Sequence, residues 1–273
     1  MARQADCVEF LQWCLPRLRM RWPGFRKVRS QVCKRIGRRL RELGLEDFEA
    51  YRRYLEEHRE EWRRLDAMCR VTISRFYRDR GVFEALETEV LPALASAVLE
   101  RGDRSLRIWS CGCASGEEVY AVAVLWKVRI AERTPWMDVE IIGTDADPHM
   151  LERARRGVYS AGSVRELPVA LRRSAFEETG DTYRVRRRLR ESVSWARQDV
   201  REQAPPGPFD LVLCRNLALT YFEEELQREV MARVGAVLRR GGALVIGSHE
   251  SLPPDVDGWE RWSASLPIYR KVG

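Results

Sequence analysis

Residues 108 to 124 read IWSCGCASGEEVYAVAV. An apolar run, a turn with Gly112 and Gly116, and then a helical stretch is how many nucleotide-binding α/β domains begin, the helix N-terminus facing a phosphate. Here the first helical turn carries Glu117 and Glu118. Two carboxylates repel a pyrophosphate, so either nothing nucleotide-like binds or the ligand carries positive charge. The glycines let a ligand approach the backbone, but their spacing is not the G-x-G-x-x-G of a dinucleotide site.

Outward from this stretch, short apolar runs alternate with amphipathic segments. LRIWS precedes the turn, VEIIGTDAD and PHMLERARRG follow, and FDLVLC, EEELQREVMARVGAVLRRGG and ALVIGS come later. Strand and helix in alternation predict a largely parallel sheet covered on both faces, an α/β fold. The alternation breaks between 156 and 198, where Tyr183, Val185, Val193 and Trp195 recur at period two around a charged turn. That pattern predicts an inserted antiparallel hairpin subdomain.

Upstream, residues 1–80 have helical periodicity, with Val32, Ile36, Leu40 and Leu43 and then Phe48, Tyr51, Tyr54 and Leu55 at three- and four-residue steps. Gly44 reads as a helix stop and Glu46-Asp47 as the next start. The predicted organisation is a small helical domain over 1–80, a connecting helix over 81–104, and a ligand-binding domain over 105–273 with the insertion at about 156–198.

The chain of 273 residues is long enough to bury a core without covalent staples. Its 7 cysteines are odd in number and lack CxxC spacing, which predicts reduced thiols rather than a disulfide framework or a zinc site. Cys111 and Cys113 read as packing residues, and no metal site is predicted. No apolar run is long enough for a membrane span and the N-terminus lacks a signal-peptide core, so a cytoplasmic location without membrane insertion is expected. The net charge of +7 is concentrated in arginines between 17 and 43. These suit an acidic partner, or simply a solvated helix face; no aromatic-basic nucleic-acid module accompanies them, so a nucleic-acid partner is not expected.

Ligands of open parallel sheets lie at the carboxyl ends of the strands. Asp145, ending the second run, is placed to accept both hydroxyls of a ribose. Asp199, after VSWARQDV, could accept from an adenine amino group, and Arg215, Asn216 and Tyr221 follow the next run. A ribose reader beside two glutamates and no phosphate-binding base points to a nucleoside with a cationic tail, and S-adenosylmethionine fits. One glutamate is equally explained by the positive end of the helix dipole, a contribution of about 0.3–1 kcal/mol.

With these residues in hand, the chain resembles the chemoreceptor glutamate O-methyltransferases of bacterial chemotaxis, the CheR family. The resemblance runs through RIGRRLRELGLEDFEAYRRYLEE, the junction TISRFYRD, the turn WSCGCASGEEVY, GTDAD, ARRGVY, PPGPFDLVLCRN and the closing GSHES. It implies a Rossmann-like S-adenosylmethionine-dependent methyltransferase domain behind a small helical domain. It also implies that Thr72, Ser74 and Arg78 line the active site, with Arg78 near the transferred methyl group and the acceptor carboxylate. For the cofactor it implies Glu117 at the amino acid moiety, Asp145 at the ribose, Asp199 and Val200 around the adenine, and Asn216 and Leu217 beside the sulfonium, next to Gly112, which the turn itself offers for close approach of a ligand. Tyr221 is the implied catalytic tyrosine.

Several positions depart from the family pattern. CRNLALTYF has one residue more than usual before its Tyr-Phe pair, so that by count Thr220 takes the tyrosine's place. Either a bulged turn keeps Tyr221 in the pocket or the register has shifted. Thr72 replaces a usual asparagine, the turn lacks a proline before its tyrosine, and GSHES transposes His-Ser. The expected function is methyl transfer to glutamate side chains of an acidic, helical, chemoreceptor-like protein by a monomeric enzyme, with S-adenosylhomocysteine as product. The alternatives are a small carboxylate or amine as acceptor, and an inactive cofactor-binding sensor or scaffold.

Overall fold

The computed structural model describes residues 4–273, which divide into two compact units. The first comprises the chain up to Thr72 together with Ala218–Gln227; the second comprises Ile73–Leu217 and Arg228–Gly273.

The first unit is helical: α1 (Gln4–Arg17), α2 (Trp22–Phe25), α3 (Arg29–Leu43), α4 (Phe48–Glu57) and α5 (Glu61–Cys69). The periodic residues Val32, Ile36, Leu40, Tyr51 and Leu55 are all buried. Gly44, at φ +68°, stops α3 in the left-handed conformation that glycine adopts without a Cβ penalty. Asp47 caps α4 by accepting from the Ala50 N–H at 2.7 Å. Within this core Glu61 is buried; it accepts from Arg39 through two bonds of 2.8 Å and from the Tyr51 hydroxyl at 2.9 Å. Burial alone would push the Glu61 carboxyl up, but those bonds and the Arg39 charge outweigh it and hold it below the usual range.

Two expectations are corrected here. Cys7 and Cys33 form a disulfide between α1 and α3, so the thiols are not all reduced; the remaining five cysteines are free and buried. Ala218–Gln227, expected in the ligand-binding domain, packs with the helical unit, which also closes at Thr72 rather than near residue 80. The reason is local hydrogen bonding and fit. Arg21 donates its backbone N–H to the Tyr221 carbonyl at 2.9 Å and its guanidinium to the carbonyls of Leu219 and Thr220, and Arg19 pairs with Glu223 at 2.7 Å. A Cβ on Gly24 would stand 2.2 Å from the Thr220 carbonyl oxygen, so only glycine lets the segment approach.

The second unit opens with a helical stretch, Arg80–Glu100, that carries a π-helical turn at Leu86–Val90. It is not a linker: Val82, Phe83, Leu86, Val90, Leu91, Leu94 and Val98 belong to the core of this unit. The strands are β1 (Ser105–Cys111), β2 (Asp138–Asp145), β3 (Val158–Ser160), β4 (Phe176–Thr179), β5 (Thr182–Val185), β6 (Val193–Arg197), β7 (Phe209–Leu213), β8 (Leu238–Val245), β9 (Trp259–Arg261) and β10 (Ile268–Lys271). Seven form one sheet in the order β6-β2-β1-β7-β8-β10-β9. Its β6, β2, β1, β7 and β8 are parallel, while β10 runs antiparallel to both its neighbours, β8 and β9.

The insertion is a three-stranded sheet, β3-β5-β4, and not the predicted hairpin. Tyr183 and Val185 pair with β3 and β4, whereas Val193 and Trp195 lie on β6, parallel to β2 in the main sheet. A shared period of two reports strand conformation but not the partner, and the short helix Arg187–Arg190 between the two runs carries the chain from one sheet to the other. Strand order reverses between β1 and β7, so the carboxyl ends of those strands flank the switch point where ligands of such sheets bind.

Candidate active site

At the end of β1, Gly112 has φ +67°, and a Cβ there would lie 2.4 Å from the Leu217 side chain, which follows β7. The two strand ends are thus in van der Waals contact at the switch point. Gly116, at φ +88°, serves packing instead: a Cβ on it would meet Trp195 at 2.7 Å and Ala154 at 2.9 Å.

The two glutamates of the turn separate. Glu118 accepts from the Ser110 hydroxyl at 2.8 Å and from Arg215 at 2.8 Å, an ion pair of structural kind. Glu117 is only 3% exposed and accepts from the hydroxyls of Ser115 (2.9 and 3.0 Å) and Ser163 (3.3 Å). No cation among the described residues pairs with it. A buried carboxylate answered only by hydroxyls is costly unless a cation completes it.

Asp145, at the end of β2, accepts from the Ala114 N–H and from the Asp147 N–H, each at 2.8 Å, fastening the β1 turn to β2. Asp199 follows β6 and is held by Arg201, whose guanidinium reaches it at 2.7 Å and whose backbone N–H reaches it at 3.0 Å. Val200 is buried, and its carbonyl accepts from Arg233 at 2.8 Å. Asn216 has φ +53°, and its N–H donates to Glu250 at 2.9 Å.

Arg78 lies in the second unit, half-buried. Its guanidinium makes one bond, to the Ile73 carbonyl at 3.4 Å, and no carboxylate among the described residues pairs with it. A bridge to Asp79 is the obvious alternative, yet Asp79 pairs with Arg215 at 2.7 Å. Ser74 is half-buried in the same irregular segment. Thr72 closes the first unit, which also holds Thr220 and Tyr221. The stretch with the extra residue forms a single helical turn, Ala218–Tyr221, rather than a bulge, and the Tyr221 ring packs edge-on against Phe25 at 5.1 Å.

No protein nucleophile is evident around the turn. Hydrogen bonding to Cys214 together with burial pushes the Cys111 thiol up, and burial does the same to Cys113. Burial likewise raises the phenols of Tyr120 and Tyr159, which donate to the carbonyls of Ala154 and Ser115 at 2.9 and 2.6 Å. These groups brace the turn and stay protonated at neutral pH.

Sequence reasoning missed Ser163 and Tyr159, which come from the insertion and carry no periodic signal. It also passed over Glu250, a buttress for Asn216 and Gly247 hidden in GSHES, and it noted Arg215 only as a strand-end residue. The charged triplet CRN and the acid in GSHES were the available signals.

A parallel sheet with a reversed edge, a glycine turn ending in an uncompensated buried carboxylate, and an acid after the second strand define a Rossmann-like S-adenosylmethionine-dependent methyltransferase. Residues 72–266 match the model of the CheR methyltransferase SAM-binding domain, and residues 27–66 match that of the CheR methyltransferase all-alpha domain. The chain is 36% identical over 186 residues to a chemotaxis protein methyltransferase of Listeria monocytogenes, covering 68% of each chain. It is 31% identical to the chemotaxis protein methyltransferase of Escherichia coli, over 82% of this chain and 77% of that one. It is also 30% identical to an uncharacterized 104.1 kDa protein of Rhodobacter capsulatus, over 88% of this chain but 25% of that one. The chain belongs to the CheR methyltransferase family, and its cofactor is S-adenosylmethionine. Among the described residues, no helix is long and apolar enough to cross a membrane.

Proposed function

We propose that this enzyme methylates glutamate side chains of a chemoreceptor, acting as a cytoplasmic monomer on an acidic helical segment. The observation that carries the reading is a complementary pair of uncompensated charges in the second unit: the buried carboxylate of Glu117 and the guanidinium of Arg78. Glu117 suits the α-ammonium of the cofactor, and Arg78 suits the acceptor carboxylate, which a guanidinium can hold through two parallel hydrogen bonds. Asp145 would take the ribose hydroxyls, Asp199 and Val200 the adenine, and Gly112, Asn216 and Leu217 the region of the sulfonium, with Ser74 of the same unit lining the site. The names of the relatives support a chemotaxis substrate, and exposed Lys34, Arg38 and Arg41 on α3 give the helical unit a basic face for it.

The cofactor supplies an activated methyl group on a sulfonium. A glutamate carboxylate is already ionised at neutral pH, so the protein needs no general base. Its task is to fix that carboxylate in line with the methyl carbon and to exclude water. Arg78→Ala is therefore expected to leave S-adenosylhomocysteine affinity within a few fold while methyl transfer to a chemoreceptor cytoplasmic fragment falls by orders of magnitude; Arg78→Lys should recover little. Equal losses of affinity and rate would assign Arg78 to the cofactor or the fold.

A further inference from the structure

Arg78 is flanked by two residues in the left-handed region, Tyr77 at φ +58° and Asp79 at φ +63°. Neither is glycine, and one is a bulky aromatic, so this backbone is unfavourable by itself and persists only if its surroundings over-determine it. Tyr77 is buried and stacks on Phe83 with ring centroids 4.7 Å apart. The other restraint is Arg215, whose side chain is 4% exposed. One of its terminal nitrogens donates to the Arg78 carbonyl at 2.8 Å and to the Asp79 carboxylate at 2.7 Å. The other donates to Glu118 at 2.8 Å, and the guanidinium carbon lies 5.4 Å from the Phe83 ring centroid.

One buried side chain thus ties the backbone of the acceptor-side arginine to the first turn of the helix that begins the cofactor site. Only a planar fork of donors can reach all three acceptors at once, which a lysine ammonium at the end of a flexible stem cannot reproduce. We infer that Arg215 is the positioning residue of this enzyme: it holds the 77–79 backbone in its rare conformation and so sets Arg78 in register with the cofactor turn. The inference rests on the reading of Arg78 as the acceptor-binding group. An ion pair serving only to neutralise Asp79 would not need the further bond to the Arg78 carbonyl.

The test combines Arg215→Lys, the double variant Arg215→Gln/Glu118→Gln, which leaves the Arg78 carbonyl and the Asp79 carboxylate without their guanidinium partner but no unpaired charge at position 118, and Asp79→Asn. Amide exchange at residues 76–80, S-adenosylhomocysteine affinity by calorimetry, and kcat and KM for a chemoreceptor cytoplasmic fragment are measured on each. Amide exchange in 76–80 is expected to quicken at least tenfold in both Arg215 variants. Cofactor-product affinity should stay within about threefold, while kcat/KM falls about 10- to 100-fold. In an Arg78→Ala background, Arg215→Lys should cost little more, because two residues acting as a unit are not additive. Unchanged exchange overturns the clamp whatever the acceptor proves to be. Faster exchange with undiminished turnover, or fully additive losses with Arg78→Ala, overturns the positioning role. Full turnover in Arg78→Ala alone identifies the acceptor reading as the failed premise, and the inference falls with it.

Discussion

Glu117 and Glu118 are adjacent and chemically identical, yet the fold gives them opposite electrostatic situations. Glu118 is answered by Arg215 and the Ser110 hydroxyl, whereas Glu117 meets only serine hydroxyls. Substituting each by glutamine should therefore act in opposite directions. Glu117→Gln should weaken S-adenosylmethionine binding by about 1.5–3 kcal/mol, the contribution of a charged hydrogen bond, while leaving the melting temperature equal or higher because an uncompensated buried charge has gone. Glu118→Gln should lower stability by about 1.5–3 kcal/mol, since it removes a charged hydrogen bond from a buried guanidinium that keeps Asp79 as its other partner. Calorimetric titration and thermal melting of the two variants decide this, and a matched loss of affinity in both would refute the division of roles. The Asp145 carboxylate fastens the Ala114 turn besides its proposed hold on the ribose, so Asp145→Ala should reduce affinity and stability together.

At the scale of elements, the helical unit depends on one buried charge cluster linking α3, α4 and α5. Glu61 in the first turn of α5 takes two donors of Arg39 and the Tyr51 hydroxyl, and its folded pKa lies below the unfolded value of about 4.3. A carboxylate depressed in the folded state contributes stability that is present above the unfolded pKa and lost as pH falls through the folded one. Glu61→Gln should thus destabilise the unit by about 3 kcal/mol at pH 7, near the low end for a broken buried pair because the Arg39 side chain keeps 17% exposure. The difference from the unsubstituted protein should narrow below about pH 4 as both carry a neutral group at position 61. Urea unfolding at pH 7 and pH 3 checks it; a constant difference would show that Glu61 acts through packing alone. The second unit has a comparable anchor in Asp210, buried at the start of β7 and bonded to the Arg107 N–H at 2.9 Å and to Arg101 at 2.7 Å.

At the scale of the whole molecule, the chain leaves the second unit after Leu217, contributes Ala218–Gln227 to the helical unit, and returns at Arg228. Tyr221 therefore belongs to the helical unit, where its ring packs against Phe25. Gly24→Ala should destabilise this unit, because its Cβ would stand 2.2 Å from the Thr220 carbonyl oxygen, and thermal melting checks it.

The alternation of apolar runs and helices from Ser105 onward determined a parallel sheet, and the residues after each run named the switch-point side chains, because strand period and strand-end chemistry are local properties of a sequence. Gly44 and Asp47 were legible as helix boundaries for the same reason. What depended on contacts distant in the chain was not legible. Tyr183 and Trp195 share a period but joined different sheets; Cys7 and Cys33 carry no spacing motif and met only when α1 packed on α3; and Ala218–Gln227 crossed to the other unit because Gly24 leaves room for the Thr220 carbonyl. The same holds at the proposed site: Glu117 and Asp145 were singled out by position in a turn and at a strand end. That Glu118 and Asp79 are taken by Arg215, while no cation among the described residues pairs with Glu117 and no carboxylate among them pairs with Arg78, was decided by side chains as many as 136 residues apart, because ion pairing follows distance in space rather than in sequence.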